Sequence, residues 1–433
     1  MSAARALYTA ALWALAPAAL ARLWARGLRA PAYRERIGER FGRVPPRPPG
    51  PPAVWVHAVS VGEVQAALPL IERLRRERPD LPLVVTTVTP TGSERVCRHL
   101  GGAAHHCYLP YDLPGAVARF LDRVRPGVAV IMETELWPNL YAACRARGIP
   151  ILVANARLSP RSWAGYRRLG RLVAETLSQV AVIAAQTEAD AGRFRALGAP
   201  PERVHVTGSL KFDLALPASL VESGEALRQA WGAGRPVWVA GSTHEGEERL
   251  VLGAHRRILE VLPEALLVLV PRRPERFERV AGLVARAGLR LARRSAGDWS
   301  ATTQVLLGDT MGELPLFYAA ADAAFVGGSL VPHGGHNPLE AAALGRPVVF
   351  GPHTFNFAEI VRLLEAEGAA ATVRGTDALA ATLLRWLRDA EARAAAGERG
   401  RDVVARNRGA LGRVWTLLAP LLARCAADQP APG

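Results

Sequence analysis

The chain has 433 residues, 50% of them hydrophobic, and a formal net charge of +15. This length exceeds what one ordinary hydrophobic core supports, so we expect two domains of about 200 residues each. A basic surface attracts anions such as nucleic acid, phospholipid or a phosphorylated substrate. The cysteines lack the spacing of a zinc or redox site, which favours reduced thiols in a cytoplasmic compartment; they are Cys97, Cys107, Cys144 and Cys425.

An uncharged segment, Ala6–Ala21, precedes Arg22, Arg26 and Arg29 near the N-terminus. It is shorter than the roughly 20 apolar residues of a spanning helix, and it contains Pro17. A signal peptide and a buried first helix are open alternatives, but the residues that follow make a poor cleavage site. We favour an uncleaved anchor that inserts shallowly or barely spans. The arginines after it predict that the body of the protein lies on the cytoplasmic side.

The segment Tyr33–Gly42 reads YRERIGERFG and is densely charged around Glu35 and Glu39. On charge pattern alone, a solvated helix with ion pairs four residues apart is the better interpretation. The functional alternative is a carboxylate near the membrane, among arginines that grip phosphates. Gly38 indicates a turn that presents Glu39. The arginines concerned are Arg34, Arg36, Arg40 and Arg43.

Strands alternate with helices over the next part of the chain, which predicts a parallel, doubly wound sheet with its chemistry at the carboxyl ends of the strands. Glu63 follows the first of these strands, and Glu133 and Glu135 follow the fourth. The predicted strands are Val54–Ala58, Pro82–Thr87, Cys107–Leu109, Val128–Ile131, Ile151–Ala154, Val182–Ala185 and Val204–Thr207.

The alternation starts again after Asp213. Four successive strand ends then carry polar loops rich in Gly or Arg, namely GSTHEGEE, PRRPER, GDTMGEL and GGSLVPHGGHNPLE. Turns rich in N–H groups, with arginines for phosphates, indicate a nucleotide ligand. For any single loop, a glycine turn without a ligand is the alternative. The predicted strands of this half are Val237–Ala240, Leu266–Val270, Gln304–Leu307, Ala323–Val326 and Pro347–Phe350.

The last of these loops opens the segment Gly327–Phe357. Its glycines allow close approaches of the backbone, and Asn337 is predicted to cap a helix over Pro338–Leu344. A glycine loop that leads into a helix N-terminus favours an anion, and Glu340 in the first turn is placed to accept hydrogen bonds from a sugar. The sequence has no Walker A motif, no GxGxxG after a first strand and no HExxH or Cys/His cluster, which argues against P-loop, simple dinucleotide and metal sites.

Two similar halves with nucleotide loops in the second resemble the GT-B glycosyltransferases, an α/β class in which two Rossmann-like, doubly wound parallel-sheet domains face a cleft. Between Tyr33 and Phe357 the sequence is also similar to the 3-deoxy-D-manno-octulosonic acid (Kdo) transferases, which carry a hydrophobic N-terminal anchor helix. Arg273 departs from that family, which often has His there. The blocks that carry the resemblance are, in order, RERIGERFG, WVHAVSVGEVQAALPLI, TTVTPTG, METELWPN, NARLSPRS, GSLKFD, AGSTHEGEE, PRRPER, DTMGEL and GGSLVPHGGHNPLEAAALGRPVVFGPHTFNF.

The resemblance implies an inverting glycosyltransferase that moves Kdo from CMP-Kdo to the lipid A precursor (lipid IVA) in lipopolysaccharide core biosynthesis. It implies an enzyme at the cytoplasmic face of the bacterial inner membrane, with membrane phospholipid as a partner. No metal or other cofactor is expected, since CMP-Kdo is a co-substrate, and no nucleic acid. The domains implied are an anchor at 1–30, an acceptor-binding domain at 31–210, a CMP-Kdo-binding domain at 211–405, and a helix at 406–433 that packs back on the acceptor domain.

Residue roles follow from the same motifs. Glu39 matches the family's general base, Glu340 is expected to hold the ribose, and Arg272 is a candidate for the leaving phosphate. The full donor set expected is Lys211, Ser242, Thr243, Glu245, Arg272, Arg273, Met311, Gly312, Glu313, Gly334, Gly335, Asn337 and Glu340. The residues expected to support the acceptor side are Glu63, Glu135, Arg34, Arg36 and Arg40.

Two alternatives remain at this point. A GT-B enzyme that uses a UDP-sugar would share the glycine loop and Glu340, but it would not be expected to carry RERIGERFG or METELWPN. A membrane-tethered nucleic-acid-binding protein would need basic side chains interleaved with exposed aromatic rings. Aromatic residues make up only 6% of the chain and the arginines are scattered, which disfavours that class.

Overall fold

The computed structural model describes residues 2–214 and 216–427 of the chain. These residues form two compact units: the first runs to Asp213 and resumes at Arg408, and the second is Leu214–Asn407. Each unit contains a sheet of seven strands, and every strand pairs in parallel with its neighbours. The alternation of strands and helices therefore predicted the fold class correctly. The units divide a few residues later than the predicted domains, so Lys211 lies in the first unit.

The first unit is built on a sheet with strand order β3-β2-β1-β4-β5-β6-β7. The central strands are rich in Val, Ile and Ala and are buried on both faces, as a parallel sheet covered by helices requires. The strands are β1 Ala53–His57, β2 Leu83–Thr87, β3 His105–Tyr108, β4 Pro126–Met132, β5 Ile151–Ala156, β6 Val182–Ala185 and β7 Val204–Val206. Its helices are α1 Ala3–Arg29, α2 Val61–Glu77, α3 Pro90–Leu100, α4 Pro114–Val124, α5 Pro138–Ala146, α6 Pro160–Arg167, α7 Gly170–Leu177, α8 Glu188–Ala196 and, at the end of the chain, α17 Ala410–Ala427.

Helix α17 completes the core of the first unit. Val414, Leu418 and Leu422 are buried in the same apolar cluster as Val54 of β1. The carboxylate of Asp213 accepts hydrogen bonds at 2.6 Å from the backbone N–H groups at the start of this helix, those of Gly409 and Leu411. Asp213 therefore caps the helix that the chain forms some 200 residues later.

The first helix, α1, is longer than the uncharged segment from which we predicted it. It runs through Pro17 and continues to Arg29. The segment Ala3–Leu28 is long enough to cross a membrane, and an 18-residue stretch within it has a mean hydropathy of 1.4. Its large apolar side chains lie on the surface, with Trp13 60% and Trp24 58% exposed, which argues against a buried first helix. Near its start, the Tyr8 hydroxyl donates a hydrogen bond to the Asp112 carboxylate at 3.0 Å.

The second unit has strand order β10-β11-β9-β8-β12-β13-β14. The strands are β8 Val237–Thr243, β9 Leu266–Pro271, β10 Leu291–Arg293, β11 Val305–Leu307, β12 Ala323–Val326, β13 Val348–Phe350 and β14 Ala370–Thr372. The edge strands β10 and β14 are missing from the sequence prediction. The helices are α9 Leu220–Trp231, α10 Glu247–Val261, α11 Phe277–Arg286, α12 Leu314–Ala320, α13 Leu339–Ala343, α14 Ala358–Ala366, α15 Gly375–Arg388 and α16 Ala390–Asn407.

Candidate active site

Glu39 lies in a short 3₁₀ helix, Ile37–Phe41, and is 8% exposed. One of its oxygens accepts a hydrogen bond from Arg36 Nε at 2.8 Å, and the other accepts one from the backbone N–H of Tyr108 at 2.8 Å. A carboxylate oxygen has two lone pairs, so each oxygen retains the capacity for a further bond. The solvated helix favoured by the charge pattern is therefore wrong. The left-handed backbone conformations lie at Arg36 and Gly42, on either side of the predicted turn at Gly38.

Three of the four arginines predicted around Glu39 have different surroundings. Arg36 also donates to the carbonyl oxygen of His106 at 2.8 Å, so it ties the Glu39 segment to β3. Arg40 is buried and donates to the carbonyl oxygen of Val88 at 2.9 Å. Arg34 lies over the ring of Trp24, with 4.3 Å between its guanidinium carbon and the ring centroid. Arg36 and Arg40 thus fix the position of the Glu39 segment, while Arg34 contacts the end of α1.

Three glutamates that follow β1 and β4 form a second acidic group in the first unit. Glu63 accepts a hydrogen bond from the backbone N–H of Val59 at 2.8 Å. Burial, together with the charges of Glu133 and Glu135, raises the pKa of Glu63 to about 8. Burial and Glu133 raise the pKa of Glu135 to about 7. At neutral pH this group therefore holds protons and can donate as well as accept hydrogen bonds to sugar hydroxyls.

Lys211 belongs to this acidic group in the first unit. We expected it with the donor loops, but its Nζ lies 3.8 Å from an Oε1 oxygen of Glu133. The residue stands in a 3₁₀ helix, Leu210–Phe212, that follows the last strand of the first sheet. Any role of Lys211 in binding is therefore expected at the carboxylates of the first unit.

The pKa of Glu63 predicts a pH dependence of stability. The raised pKa means that the folded chain keeps a proton that the unfolded chain loses above about pH 4.5, so stability should fall as pH rises from 4.5 to 8. A carboxyl whose pKa rises from 4.5 to about 8 is linked to roughly 3–4 kcal/mol between pH 5 and 8. Since 1 kcal/mol shifts the melting temperature of a domain of this size by about 2–4 °C, we expect Glu63→Gln to reduce the fall in melting temperature over this range by roughly 7–14 °C.

The matched control for this prediction is Glu77→Gln, which changes an exposed glutamate on the same helix. It should leave the pH dependence of the melting temperature as it is in the wild type. If the melting temperatures of Glu63→Gln and the wild type fell equally steeply with pH, Glu63 would not titrate in this range.

In the second unit, the buried carboxylate of Glu247 joins the loops that follow β8 and β12. One of its oxygens accepts from the backbone N–H groups of His244 and Gly328, at 2.9 and 2.7 Å. The other accepts from Ser329 and Leu330, at 2.9 and 2.8 Å. The first part of the glycine loop, which we expected to offer its N–H groups to an anion, is thus occupied by a side chain of the protein. Glu247 stands within the motif AGSTHEGEE, but the sequence prediction gave it no role.

The rest of the glycine loop differs from the prediction in detail. Helix α13 begins at Leu339 and has five residues, so Pro338 precedes the helix that we predicted it to start. Asn337 accepts a hydrogen bond from the backbone N–H of Leu339 at 3.1 Å. Gly335 donates to the carbonyl oxygen of Gly328 at 2.8 Å. Among the described residues, the backbone N–H groups of Gly334 and Asn337 have no acceptor within the protein, so they remain candidates for binding the anion.

The arginines that follow β9 lie beside the end of β8. The backbone N–H of Arg272 donates to the carbonyl oxygen of Thr243 at 3.0 Å, while the Arg272 and Arg273 side chains are exposed. Ser242, next to the buried Thr243, has a left-handed backbone with φ of 55°. Glu245 forms an ion pair with Arg279 at the surface.

The loop that follows β11 carries Met311, Gly312 and Glu313. Met311 is 59% exposed. A hydrogen bond from Arg294 holds the pKa of Glu313 below its ordinary value, and the two side chains lie 2.7 Å apart. Glu313 is thus a fixed anion, whereas Met311 offers an apolar surface to a ligand. Glu340, predicted to hold a ribose, is a partly buried residue of α13.

A histidine cluster in the second unit was missing from our predicted sites. It consists of His244, which follows β8, and of His333 and His336, which follow β12. Atoms Nε2 of His244 and His336 lie 2.8 Å apart, and the ring centroids of His244 and His333 lie 4.1 Å apart. Gly328 makes room for the pair, since a Cβ there would lie 3.2 Å from the ring of His336. All three histidines stand in loops that we assigned to the nucleotide. Their position in those loops was the signal in the sequence by which they could have been found.

No group of three or more His, Cys, Asp or Glu side chains suited to a metal ion occurs in residues 2–214 and 216–427.

Known proteins resemble the chain over almost its entire length. A family model described as 3-deoxy-D-manno-octulosonic-acid transferase (kdotransferase) matches residues 35–214, and one for glycosyl transferases group 1 matches residues 285–403. The 3-deoxy-D-manno-octulosonic acid transferase of Haemophilus influenzae is 44% identical over 427 residues, which cover 97% of this chain and 99% of that protein. The enzyme of the same name from Bordetella pertussis is 42% identical, with 96% and 98% covered.

Solved structures resemble the chain in fold. A glycosyltransferase from Rickettsia africae aligns with a TM-score of 0.55 over 86% of this chain and 99% of that chain. The two sequences are 13% identical, so the likeness concerns the fold alone.

Proposed function

The chain belongs to the Kdo transferases, and on that premise we propose that it moves Kdo from CMP-Kdo to a lipid A precursor with inversion at the anomeric carbon. The observation that carries the proposal is the 44% identity to a Kdo transferase over 97% of the chain. The Gly- and Arg-rich loops of the second unit support the proposed donor. The position of the Glu39 carboxylate in the first unit supports the proposed base.

In the proposed mechanism, Glu39 is the general base. It takes the proton of the acceptor hydroxyl as the oxygen attacks the anomeric carbon of Kdo, a step in which a positioned base contributes about 10²–10⁴-fold in rate. Arg36 and the N–H of Tyr108 hold one lone pair of each carboxylate oxygen, which fixes the direction of the remaining ones. The carboxylate of Glu39 is therefore ordered before the acceptor arrives.

The leaving CMP is proposed to bind the loops of the second unit. Positive charge for its phosphate comes from Arg272, and hydrogen bonds come from the N–H groups of Gly334 and Asn337. Glu340 holds the ribose, and the exposed Met311 covers the cytosine ring. We propose that these groups replace a bound metal.

The acceptor is proposed to reach the enzyme from the inner membrane. Helix α1 exposes Trp13 and Trp24 together with other large apolar side chains, as a helix in contact with phospholipid does. Arg34 stacks on Trp24 at the end of this helix, where an aromatic ring and a cation suit the level of the lipid headgroups. The excess of positive charge favours the phosphates of phospholipid and of the lipid A precursor.

The test is transfer from CMP-Kdo, generated in situ, to a tetraacyl lipid A precursor, with the product read by mass spectrometry. We expect a product heavier by one or more Kdo units, and its mass counts the sugars added. A parallel reaction with UDP-sugars should give no product. Transfer from a UDP-sugar and none from CMP-Kdo would refute the donor while leaving the fold intact.

A further inference from the structure

The histidine cluster has no part in the mechanism proposed above. A hydrogen bond between two imidazole nitrogens needs one N–H and one lone pair, so the contact of 2.8 Å between His244 and His336 fixes complementary tautomers. Each ring keeps a second nitrogen. The pair can therefore take up one further proton without losing its internal bond.

The surroundings of the pair are basic. Burial lowers the pKa of His244 to about 4 and that of His336 to about 3, with Arg272 contributing to both. Arg273 and Arg276 add positive charge on the side of His244. The pair is thus neutral in the absence of a ligand and lies among cations.

The carboxylates near the cluster already have partners. Glu247 accepts four backbone hydrogen bonds, Glu248 lies 3.0 Å from Arg276, and Glu245 pairs with Arg279. Arg273 is paired in the same way with Glu275, 3.6 Å away. Arg272, which lies beside the imidazoles, is the arginine that none of these four carboxylates pairs with. An incoming anion is the ligand that this arrangement favours.

We propose that the His244–His336 pair takes up one proton when the phosphate of CMP occupies these loops, and that the resulting positive charge stabilises CMP as the leaving group. This inference rests on the proposed function. In the transfer step, the bond between the anomeric carbon and the phosphate oxygen breaks, and its electron pair stays on the phosphate. The singly charged diester becomes a monoester that carries a second negative charge near neutral pH.

The proton balance of this step is as follows. The acceptor hydroxyl gives its proton to Glu39 in the proposed mechanism. The imidazole pair receives its proton from solvent and holds it as a charge opposite the phosphate, so no proton needs to pass between the units. His244 and His336 follow β8 and β12, which are neighbours in the sheet, and Arg272 lies beside the end of β8.

The inference is tested by titration calorimetry of the full-length protein with CMP at pH 7.5, in buffers of different ionisation enthalpy. We expect net uptake approaching one proton per CMP bound, and a Kd that rises by up to about tenfold per pH unit above neutrality. In His244→Gln/His336→Gln the uptake should vanish and the Kd should lose its dependence on pH. His99→Gln, an exposed histidine of the first unit, is the control.

Each outcome separates this inference from the proposed function. CMP binding by the wild type without proton uptake, or uptake that persists in the double variant, would overturn the inference alone. If the wild type failed to bind CMP, the proposed donor itself would be wrong. If the double variant does not fold, the single variant His336→Gln makes the same comparison.

Discussion

Glu39→Gln is expected to lower the rate of Kdo transfer by about 10²–10⁴-fold, the contribution of a positioned general base. The amide has nearly the same shape as the carboxylate and still accepts a hydrogen bond from Arg36 or from the N–H of Tyr108. It cannot accept the proton of the acceptor hydroxyl. The affinity for CMP should stay unchanged, because the CMP loops lie in the second unit. Rates from the transfer assay and Kd values from calorimetry measure the two effects separately.

The control for this variant is Glu35→Gln, an exposed carboxylate four residues earlier in the same segment. It should transfer Kdo at the wild-type rate. If Glu39→Gln kept more than about a tenth of that rate, Glu39 would not be the base. The acidic group of Glu63, Glu133 and Glu135 would then be the next candidate.

Glu247→Ala is expected to abolish CMP binding and to destabilise the second unit. The change leaves four backbone N–H groups without an acceptor, two of them in buried hydrogen bonds, and each unsatisfied buried group costs about 1–3 kcal/mol. The loops that carry His244 and Gly328 would lose the carboxylate that joins them. Thermal unfolding and CMP titration measure the two consequences.

One further variant shows whether charge or shape matters at position 247, and a second, elsewhere on the same helix, is its control. Glu247→Gln replaces one acceptor oxygen with an NH₂ group that faces two N–H donors, so it should lose much of the stability and affinity as well. Glu260→Gln, exposed near the end of the same helix, should behave as wild type. Wild-type CMP affinity in both Glu247 variants would show that the bonds to Glu247 are not needed to form the site.

The architecture could be predicted largely from the sequence because long apolar strands alternate with amphipathic helices, and that pattern determines the fold class. Strands β10 and β14 escaped prediction because Leu-Ala-Arg and Ala-Ala-Thr form no run of large apolar residues, whereas the equally short β11 and β13 read Val-Leu-Leu and Val-Val-Phe. Helix α1, Ala3–Arg29, agrees with the helix expected at 1–30 and extends beyond the uncharged segment through the charged residues Arg22 and Arg26. A helix continues through such residues when its backbone hydrogen bonds are satisfied internally.

The site was less predictable, for a physical reason. The motifs located the loops, but the partner of each polar group depends on contacts between loops that are distant in sequence. Glu247 meets Gly328 across 81 residues, and Glu39 meets Tyr108 across 69. Local sequence patterns cannot distinguish an N–H group that is available to a ligand from one that donates a hydrogen bond to a carboxylate distant in sequence. The histidine pair escaped prediction for the same reason, since its members lie 92 residues apart.

The packing of α17 onto the first unit, where Asp213 caps it, affects the order in which the chain can fold during its synthesis. The first unit emerges first, but the apolar surface that Val414 and Leu418 cover stays open until the last residues have been synthesised. All of Leu214–Asn407 must therefore be translated before the earlier unit can close. Until then, a nascent chain carries an uncovered apolar groove in addition to the exposed α1, which makes it a natural client of chaperones and of the membrane-insertion machinery.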